Sequence, residues 1–322
     1  MGFKSFTLTD CYLKTPQGGY YDSSSKRLVD AKGTPTYPVE IRPGAGPTLY
    51  ELYVAGTRVT SENASGILGD GVASYEASSN TLTISGNITA PDNNTPCIDN
   101  GINNLTINVV SAVTLTAYDK TINIQSTTTL TGSAQLTVTA TKIPDPHDYV
   151  DTNYAIYTAG NYLNISNANL LVTGEIGCYG NLNISNANLR VTGSIGCSGN
   201  LNITNSTLSV DYTFFGGENM NVTNSTVSIT NGSIMGFKSF TLTDCYLKTP
   251  QGGYYDSSSR RLVDADGKYS SIVEIVPIED PIGIEEILVN PSDDTRKVLH
   301  DGKLYIIRAD GKVFNAQGAR VN

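Results

Sequence analysis

The residue types best suited to bind a ligand are concentrated in one short segment, residues 143–157. Its sequence, IPDPHDYVDTNYAIY, combines carboxylates, an imidazole and phenol rings in Asp145, His147, Asp148, Tyr149, Asp151, Tyr154 and Tyr157. Calcium binds carboxylate oxygens, so Asp145, Asp148 and Asp151 form a candidate calcium site. A tyrosine ring can stack on a sugar ring. The segment predicts a ligand-binding loop; the alternative is a solvated loop whose tyrosines only cover the edge of the fold.

A second candidate site is the tyrosine pair Tyr254 and Tyr255, which is present again as Tyr20 and Tyr21. Two adjacent tyrosines can bind a ligand, or they can cap the open end of a fold with an apolar interior. The chain has no tryptophan, the side chain with the largest stacking surface, and this weakens any aromatic binding platform.

Catalytic chemistry has little support in the sequence. Histidine occurs only as His147 and His300, and no Ser-His-Asp or Cys-His grouping is evident. The net charge of −9 and the pI near 4.7 argue against a nucleic-acid partner. The chain lacks an apolar run of about 18 residues, which argues against a transmembrane helix. We therefore expect a protein that binds rather than catalyses.

The elements that would position these residues follow a repeat of about 19 residues. An asparagine recurs at that interval, at Asn167, Asn186, Asn205 and Asn224. A column of apolar residues accompanies it, at Leu163, Leu182, Leu201 and Met220. Apolar and polar residues alternate within each repeat, which is the pattern of a strand with one buried face. The sequence thus predicts an all-β fold, a parallel β-helix with about 19–20 residues per coil.

Asparagine and cysteine residues in these coils each allow two interpretations. The recurring asparagines are expected at turns, where Asn tolerates a left-handed backbone, whereas the N-x-S/T triplets would mark glycosylation sites. Cys178 and Cys197 lie one coil apart, so they are either small buried residues of one inward column or partners in a disulfide between stacked coils.

One segment of the chain occurs twice. Residues 1–25 return unchanged as residues 235–259, which suggests that the sequence begins within a repeating array. We interpret residues 1–43 as the end of a preceding repeat unit plus a linker. Residues 44–277 would form the β-helix unit, with an N-terminal β segment (44–96) and coils (97–255). Residues 278–322 would form a C-terminal β-tail.

Several stretches resemble a known type of bacterial protein. LYVAGTRVTSENASGILGDGVASYEASSNTLTISG, CIDNGINNLTINVVSAVTLTA and LNISNANLLVTGEIGC resemble carbohydrate-binding-domain proteins of Bacteroidetes with a right-handed, pectate-lyase-like β-helix. The final stretch, KVLHDGKLYIIRADGKVFNAQGARVN, is similar to the sorting tails of exported Bacteroidetes proteins. The resemblance implies export to the extracellular space or outer-membrane surface, and a polysaccharide or host glycan as partner. No binding residue of that family matches a position here.

The function expected from these observations is non-catalytic glycan binding by a surface or secreted solenoid, with calcium as the cofactor that the aspartates could hold. One alternative is a structural or adhesive spacer of a repetitive surface protein, held by contacts between copies. Another is a polysaccharide lyase or glycoside hydrolase, for which the sequence provides no pair of facing carboxylates that could be placed.

Overall fold

The computed structural model describes most of the chain, namely residues 4–16, 18–30, 33–142, 153–160, 162–278, 296–300, 303–307, 312–315 and 319–321. All regular secondary structure in these ranges is β, which confirms the predicted fold class. The chain divides into two compact units, residues 1–278 and 279–322. No helix in the described ranges is long and apolar enough to cross a bilayer.

The first unit begins with four short strands, β1 (Cys11–Thr15), β2 (Tyr20–Asp22), β3 (Arg27–Val29) and β4 (Glu40–Pro43). Strands β1 and β4 pair antiparallel, and β2 and β3 form a hairpin. The next strands are β5 (Leu49–Val54), β6 (Thr57–Thr60), β7 (Ala73–Glu76), β8 (Thr81–Ile84) and β9 (Ile88–Thr89). Two further antiparallel hairpins, β5–β6 and β7–β8, lead into the solenoid.

Parallel coils of the solenoid follow. Their strands are β10 (Ile98–Asn100), β11 (Leu105–Val109), β12 (Val113–Ala117), β13 (Ile122–Ile124), β14 (Thr128–Ala140), β15 (Tyr154–Thr158), β16 (Leu163–Thr173), β17 (Glu175–Cys178), β18 (Leu182–Ser185), β19 (Asn188–Val191), β20 (Ile195–Cys197), β21 (Leu201–Thr204), β22 (Thr207–Val210), β23 (Phe214–Gly216), β24 (Asn219–Thr223), β25 (Thr226–Ile229) and β26 (Ile234–Met235). Parallel pairing starts where β8 meets β11 and β9 meets β12, and the stack makes about 7 turns.

The unit ends with strands that leave the regular coils. They are β27 (Ser239–Thr243), β28 (Cys245–Thr249), β29 (Tyr254–Asp256), β30 (Arg261–Val263) and β31 (Val273–Pro277). Strand β27 still stacks parallel on β24, whereas β31 runs antiparallel between β25 and β28. The solenoid faces thus include an 11-stranded sheet in the order β29-β30-β26-β23-β20-β17-β15-β13-β10-β5-β6.

Like residues stack on like residues inside the solenoid, as the repeat predicts. Leu163 pairs with Leu182, Leu182 with Leu201, and Leu201 with Met220, and all four side chains are fully buried. Removing each of these side chains from water contributes roughly 1.5–3 kcal/mol. The core is therefore a set of continuous aliphatic columns, in which each coil depends on the coils above and below.

The recurring asparagines lie at turns with a left-handed backbone, which confirms that expectation. Their φ angles are 50°, 49°, 49° and 43°, in the order Asn167, Asn186, Asn205 and Asn224. A second set of asparagines forms a ladder of side-chain amides on one solvent-facing strip. In this ladder Nδ2 of each residue donates to Oδ1 of the residue one coil below, at 2.8, 2.8 and 2.9 Å, through Asn164, Asn183, Asn202 and Asn221.

The second unit contains a small antiparallel sheet, as the predicted β-tail requires. Its strands are β32 (Arg296–His300), β33 (Lys303–Ile307), β34 (Val313–Asn315) and β35 (Arg320–Val321), paired in that order.

Candidate functional site

Most of the predicted binding loop lies outside the described residues. This applies to Asp145, His147, Asp148, Tyr149 and Asp151, and hence to the candidate calcium site. Within the ranges that the structure describes, no group of three or more His, Cys, Asp or Glu residues could hold a metal ion. The two remaining residues of the prediction, Tyr154 and Tyr157, are described and lie on β15.

Tyr157 heads a column of residues on the outer face of the 11-stranded sheet. Tyr157 pairs with Gly177, Gly177 with Gly196, and Gly196 with Phe215. Successive residues of a strand point to opposite faces, and the preceding residue in each of these strands belongs to the buried column that contains Ile176. The column therefore lies on the outer face of the sheet, where its two glycines are buried.

Aromatic rings lie directly over the two glycines. A Cβ atom at Gly177 would collide with the ring of Tyr154, and one at Gly196 would collide with the ring of Phe215. Glycine is thus required here by the close approach of a ring to the backbone. A larger residue at either position would push the ring away from the sheet.

A third tyrosine extends this aromatic surface. The ring centroids of Tyr154 and Tyr157 are 5.4 Å apart, and those of Tyr157 and Tyr179 are 5.6 Å apart. Tyr179 is 53% exposed and Phe215 is 43% exposed, so both present ring surface to solvent. Lys120 Nζ lies 4.4 Å from the centroid of the Tyr157 ring, a cation–π contact that helps to hold this ring in place.

These residues enclose a groove of about 210 Å³, which we call the aromatic groove. Its walls are Tyr154, Tyr179 and Phe215, and its floor is the glycine backbone together with Cys178 and Cys197. The groove therefore offers apolar ring surface beside backbone polar groups. Its described lining residues supply neither a carboxylate nor an imidazole.

Cys178 and Cys197 are free thiols, so the structure favours the small buried residue over the disulfide. Thr158 Oγ1 donates to Cys178 Sγ at 3.3 Å, and Cys197 Sγ donates to the carbonyl oxygen of Asn200 at 3.3 Å. The neighbouring Cys178 sulfur and burial raise the pKa of the Cys197 thiol, which makes Cys197 a poor nucleophile.

The second predicted pair, Tyr254 and Tyr255, lies at the far end of the same sheet. Strand β29 is six strand spacings from β15, which corresponds to roughly 29 Å. Tyr255 donates its hydroxyl to the carbonyl oxygen of Phe237 at 2.7 Å, and its ring lies 5.6 Å from that of Phe240. Tyr255 thus packs on the end of the core, whereas Tyr254 is 52% exposed.

The structure therefore brings together Tyr154 and Tyr157 but separates them from the other tyrosine pair. The sequence analysis missed Tyr179, Phe215 and the two glycines. One signal was available, because the tripeptide Ile-Gly-Cys occurs at residues 176–178 and again at residues 195–197, one coil apart. A repeated outward glycine marks a shallow place on a solenoid face.

Comparison with known proteins leaves the groove as the basis for any functional argument. No protein-family model matches the chain, and no curated protein or solved structure matches it.

Proposed function

We propose that this chain is a non-catalytic glycan-binding β-solenoid whose sugar site is the aromatic groove. The observation that carries the proposal is the placement of Tyr154, Tyr179 and Phe215 around a glycine floor, with two of the rings half exposed. Aromatic rings that are exposed side by side form an apolar patch, and such patches mark binding sites more often than single exposed rings do. Sugars have apolar ring faces, which match the aromatic walls of the groove.

The dimensions of the groove favour a segment of a longer polymer. Its volume of about 210 Å³ lies below the roughly 300–1,000 Å³ of pockets that enclose a drug-sized ligand. It is also open to solvent, so neighbouring units of a longer chain can lie outside it. We infer that one sugar ring contacts the aromatic walls while neighbouring units of a polysaccharide extend over adjacent coils.

Export to the extracellular space or outer-membrane surface belongs to the same proposal. It is supported by the resemblance of the coils and of the C-terminal sheet segment to exported Bacteroidetes proteins, and a polysaccharide or host glycan would be met there. Calcium would assist binding if Asp145, Asp148 and Asp151 hold an ion, since these aspartates shortly precede Tyr154 in the sequence.

A glycan array probed with the full chain tests the proposal. We expect binding that falls about 3- to 10-fold in Tyr179→Ala and in Phe215→Ala, because each change removes roughly 1 kcal/mol of ring contact. Tyr246→Ala is the matched control, since Tyr246 is 48% exposed but lies on β28, away from the groove. Equal loss in all three variants, or in none, would contradict the groove as the site.

Two further measurements separate the alternatives. Repeating the array with a calcium chelator, and with Asp148→Ala plus Asp151→Ala, tests the cation; unchanged affinity in both removes calcium from the proposal. Incubating the protein with bound polysaccharide and measuring reducing ends or unsaturated products tests cleavage, and product formation would replace the binding function by an enzymatic one.

A structural or adhesive spacer is the second candidate, and one observation favours it. The strip of asparagine side chains is hydrogen-bonded to itself along the coils, so much of this solenoid surface is already satisfied without a ligand. A silent array combined with adhesion between protein-coated beads would select this function.

A further inference from the structure

The duplicated sequence folds twice into the same module. Strands β1–β4 form the N-terminal cap and strands β27–β31 form the C-terminal cap. Strands β28–β31 are the counterparts of β1–β4, with equivalent residues 234 positions apart, whereas β27 has no counterpart strand among the described residues. In the first, Leu13 pairs with Ile41; in the second, Leu247 pairs with Ile275. Each cap also contains the same tyrosine hairpin, β2–β3 or β29–β30. The internal geometry of the cap is therefore fixed by its own sequence.

The C-terminal cap closes the solenoid. Its strand β31 pairs antiparallel with β25, the last regular strand on that face, through Val227 with Ile275 and Ile229 with Val273. Both Val273 and Ile275 are fully buried. Strand β31 thus supplies the backbone hydrogen bonds and the apolar side chains that a further coil would supply, which protects the open edge of the stack.

The equivalent edge of the N-terminal cap is open. Among the described residues β4 pairs only with β1. Val39 and Ile41, the counterparts of Val273 and Ile275, are 39% and 45% exposed. The same apolar strand edge that binds a solenoid coil at one end of the unit therefore faces solvent at the other end.

We propose that the N-terminal cap binds the last coil of a second copy of this chain, in place of that copy's own C-terminal cap. Strand β4 would pair with Thr226–Ile229 in the register that β31 uses. The occupant is identified within the molecule itself, because the C-terminal cap shows which strand this edge binds. Such exchange of identical elements is domain swapping, and it links copies head to tail.

The N-terminal cap cannot bind the last coil of its own chain. In the 11-stranded sheet β5 and β26 are seven strand spacings apart, roughly 34 Å. The connection from Pro43 at the end of β4 to Leu49 at the start of β5 spans at most about 22 Å when fully extended. Only a second copy can therefore supply the coil.

The intact chain holds its C-terminal cap by tethering. That cap follows β26 directly in sequence, so its effective concentration at the coil is of millimolar order, above any working concentration of free chain. Along the strand that would be exchanged, Arg42 replaces Val276, and the other four residues from Val39 to Pro43 are identical to their counterparts. Weakening the C-terminal cap is therefore expected to transfer the coil to the N-terminal cap of a neighbour.

The test uses full-length chains and light scattering coupled to size-exclusion chromatography. Ile275→Lys, and the milder Ile275→Ala, should raise the molar mass at least two-fold, with a mass that increases with protein concentration. Adding Ile41→Lys to either variant should return the mass to that of the monomer. Ile41→Lys alone should stay monomeric.

A mixing experiment tests the direction of the contact. The Ile275→Lys plus Ile41→Lys chain keeps a free coil but has no working N-terminal cap, so it should form a one-to-one complex with the unchanged chain. The inference is overturned if the Ile275 variants stay monomeric with an unchanged circular dichroism spectrum, if their association persists after Ile41→Lys, or if no mixed complex forms. If Ile275→Lys loses its β-sheet circular dichroism spectrum, the molar mass of Ile275→Ala alone tests the inference. Neither the mass measurement nor the mixing experiment depends on glycan binding.

Discussion

The two caps carry nearly the same sequence in different surroundings. Their turns, hairpins and strand registers agree, whereas the burial of equivalent residues does not: Ile275 is fully buried and Ile41 is 45% exposed. Hydrogen bonds between near neighbours need only the local sequence. Burial needs the coil on which the C-terminal cap packs. The comparison thus separates the stability that a segment carries by itself from the stability that its position provides.

The largest expected difference between the caps is at this isoleucine. Ile275→Ala should lower the free energy of unfolding by about 2–5 kcal/mol, because it leaves a cavity against β25. Ile41→Ala should change it by no more than about 0.5 kcal/mol, because the side chain is half in water. Denaturant unfolding at concentrations that keep the chain monomeric measures both, and equal losses would mean that β4 has a partner in solution.

The next difference concerns the duplicated cysteine. Cys245 is buried, and its Sγ accepts a hydrogen bond from the backbone amide of Ser225 at 3.1 Å, across the junction with the last coil. Cys245→Ala leaves that amide without its partner and should cost about 1–3 kcal/mol. Cys11 is only partly buried. We expect Cys11→Ala to be close to neutral in the same thermal or denaturant unfolding measurement, and a comparable cost would contradict the role of the junction.

The smallest effect should be the same in both caps. Hydrogen bonds from Ser259 and Ser258 lower the pKa of Asp256 to about 2, and those from Ser25 and Ser24 likewise lower the pKa of Asp22. A carboxyl with a lowered pKa in the folded state stabilises above its unfolded pKa, near 3.8, and loses that contribution as the pH falls through the folded value.

This contribution should therefore be complete above about pH 5 and be lost progressively in more acidic solution in both hairpins. Amide NMR shifts of Ser24 and Ser258, followed through an acid titration, measure it. Asp22→Asn and Asp256→Asn should each remove the transition at the mutated hairpin and leave the other unchanged. A transition in one cap alone would show that even the hairpin depends on the coil.

The sequence predicted the solenoid well because its repeat reports packing directly. Leu182 and Leu201 occupy one column since both must face the same dry interior, and the left-handed Asn186 was expected because the turn recurs with the period. The alternation around Val273 and Ile275 likewise indicates a strand with one buried face. It does not say which edge that strand joins or in which direction, because one pattern suits several partners.

The aromatic groove was less predictable for a related reason. The sequence analysis included Tyr154 and Tyr157 in the predicted binding loop, but their neighbours Tyr179 and Phe215 come from other coils. Only the register of the coils places them beside Gly177 and Gly196, and a glycine in sequence looks like a turn residue. The groove depends on two outward positions that have no side chain. A glycine at such a position is a weak signal in the sequence, because glycine is also common in turns.

The asparagine ladder has a consequence for how such a molecule can change its length. Asn183 and Asn202 each donate to the asparagine of the coil below and accept from the asparagine of the coil above. Each inner coil therefore presents one donor on one side and one acceptor on the other. Deleting or duplicating one whole coil leaves each donor opposite an acceptor, whereas a shorter insertion shifts the register of every coil beyond it. Related solenoids are therefore expected to differ in length by whole coils, with both ends of the stack unchanged.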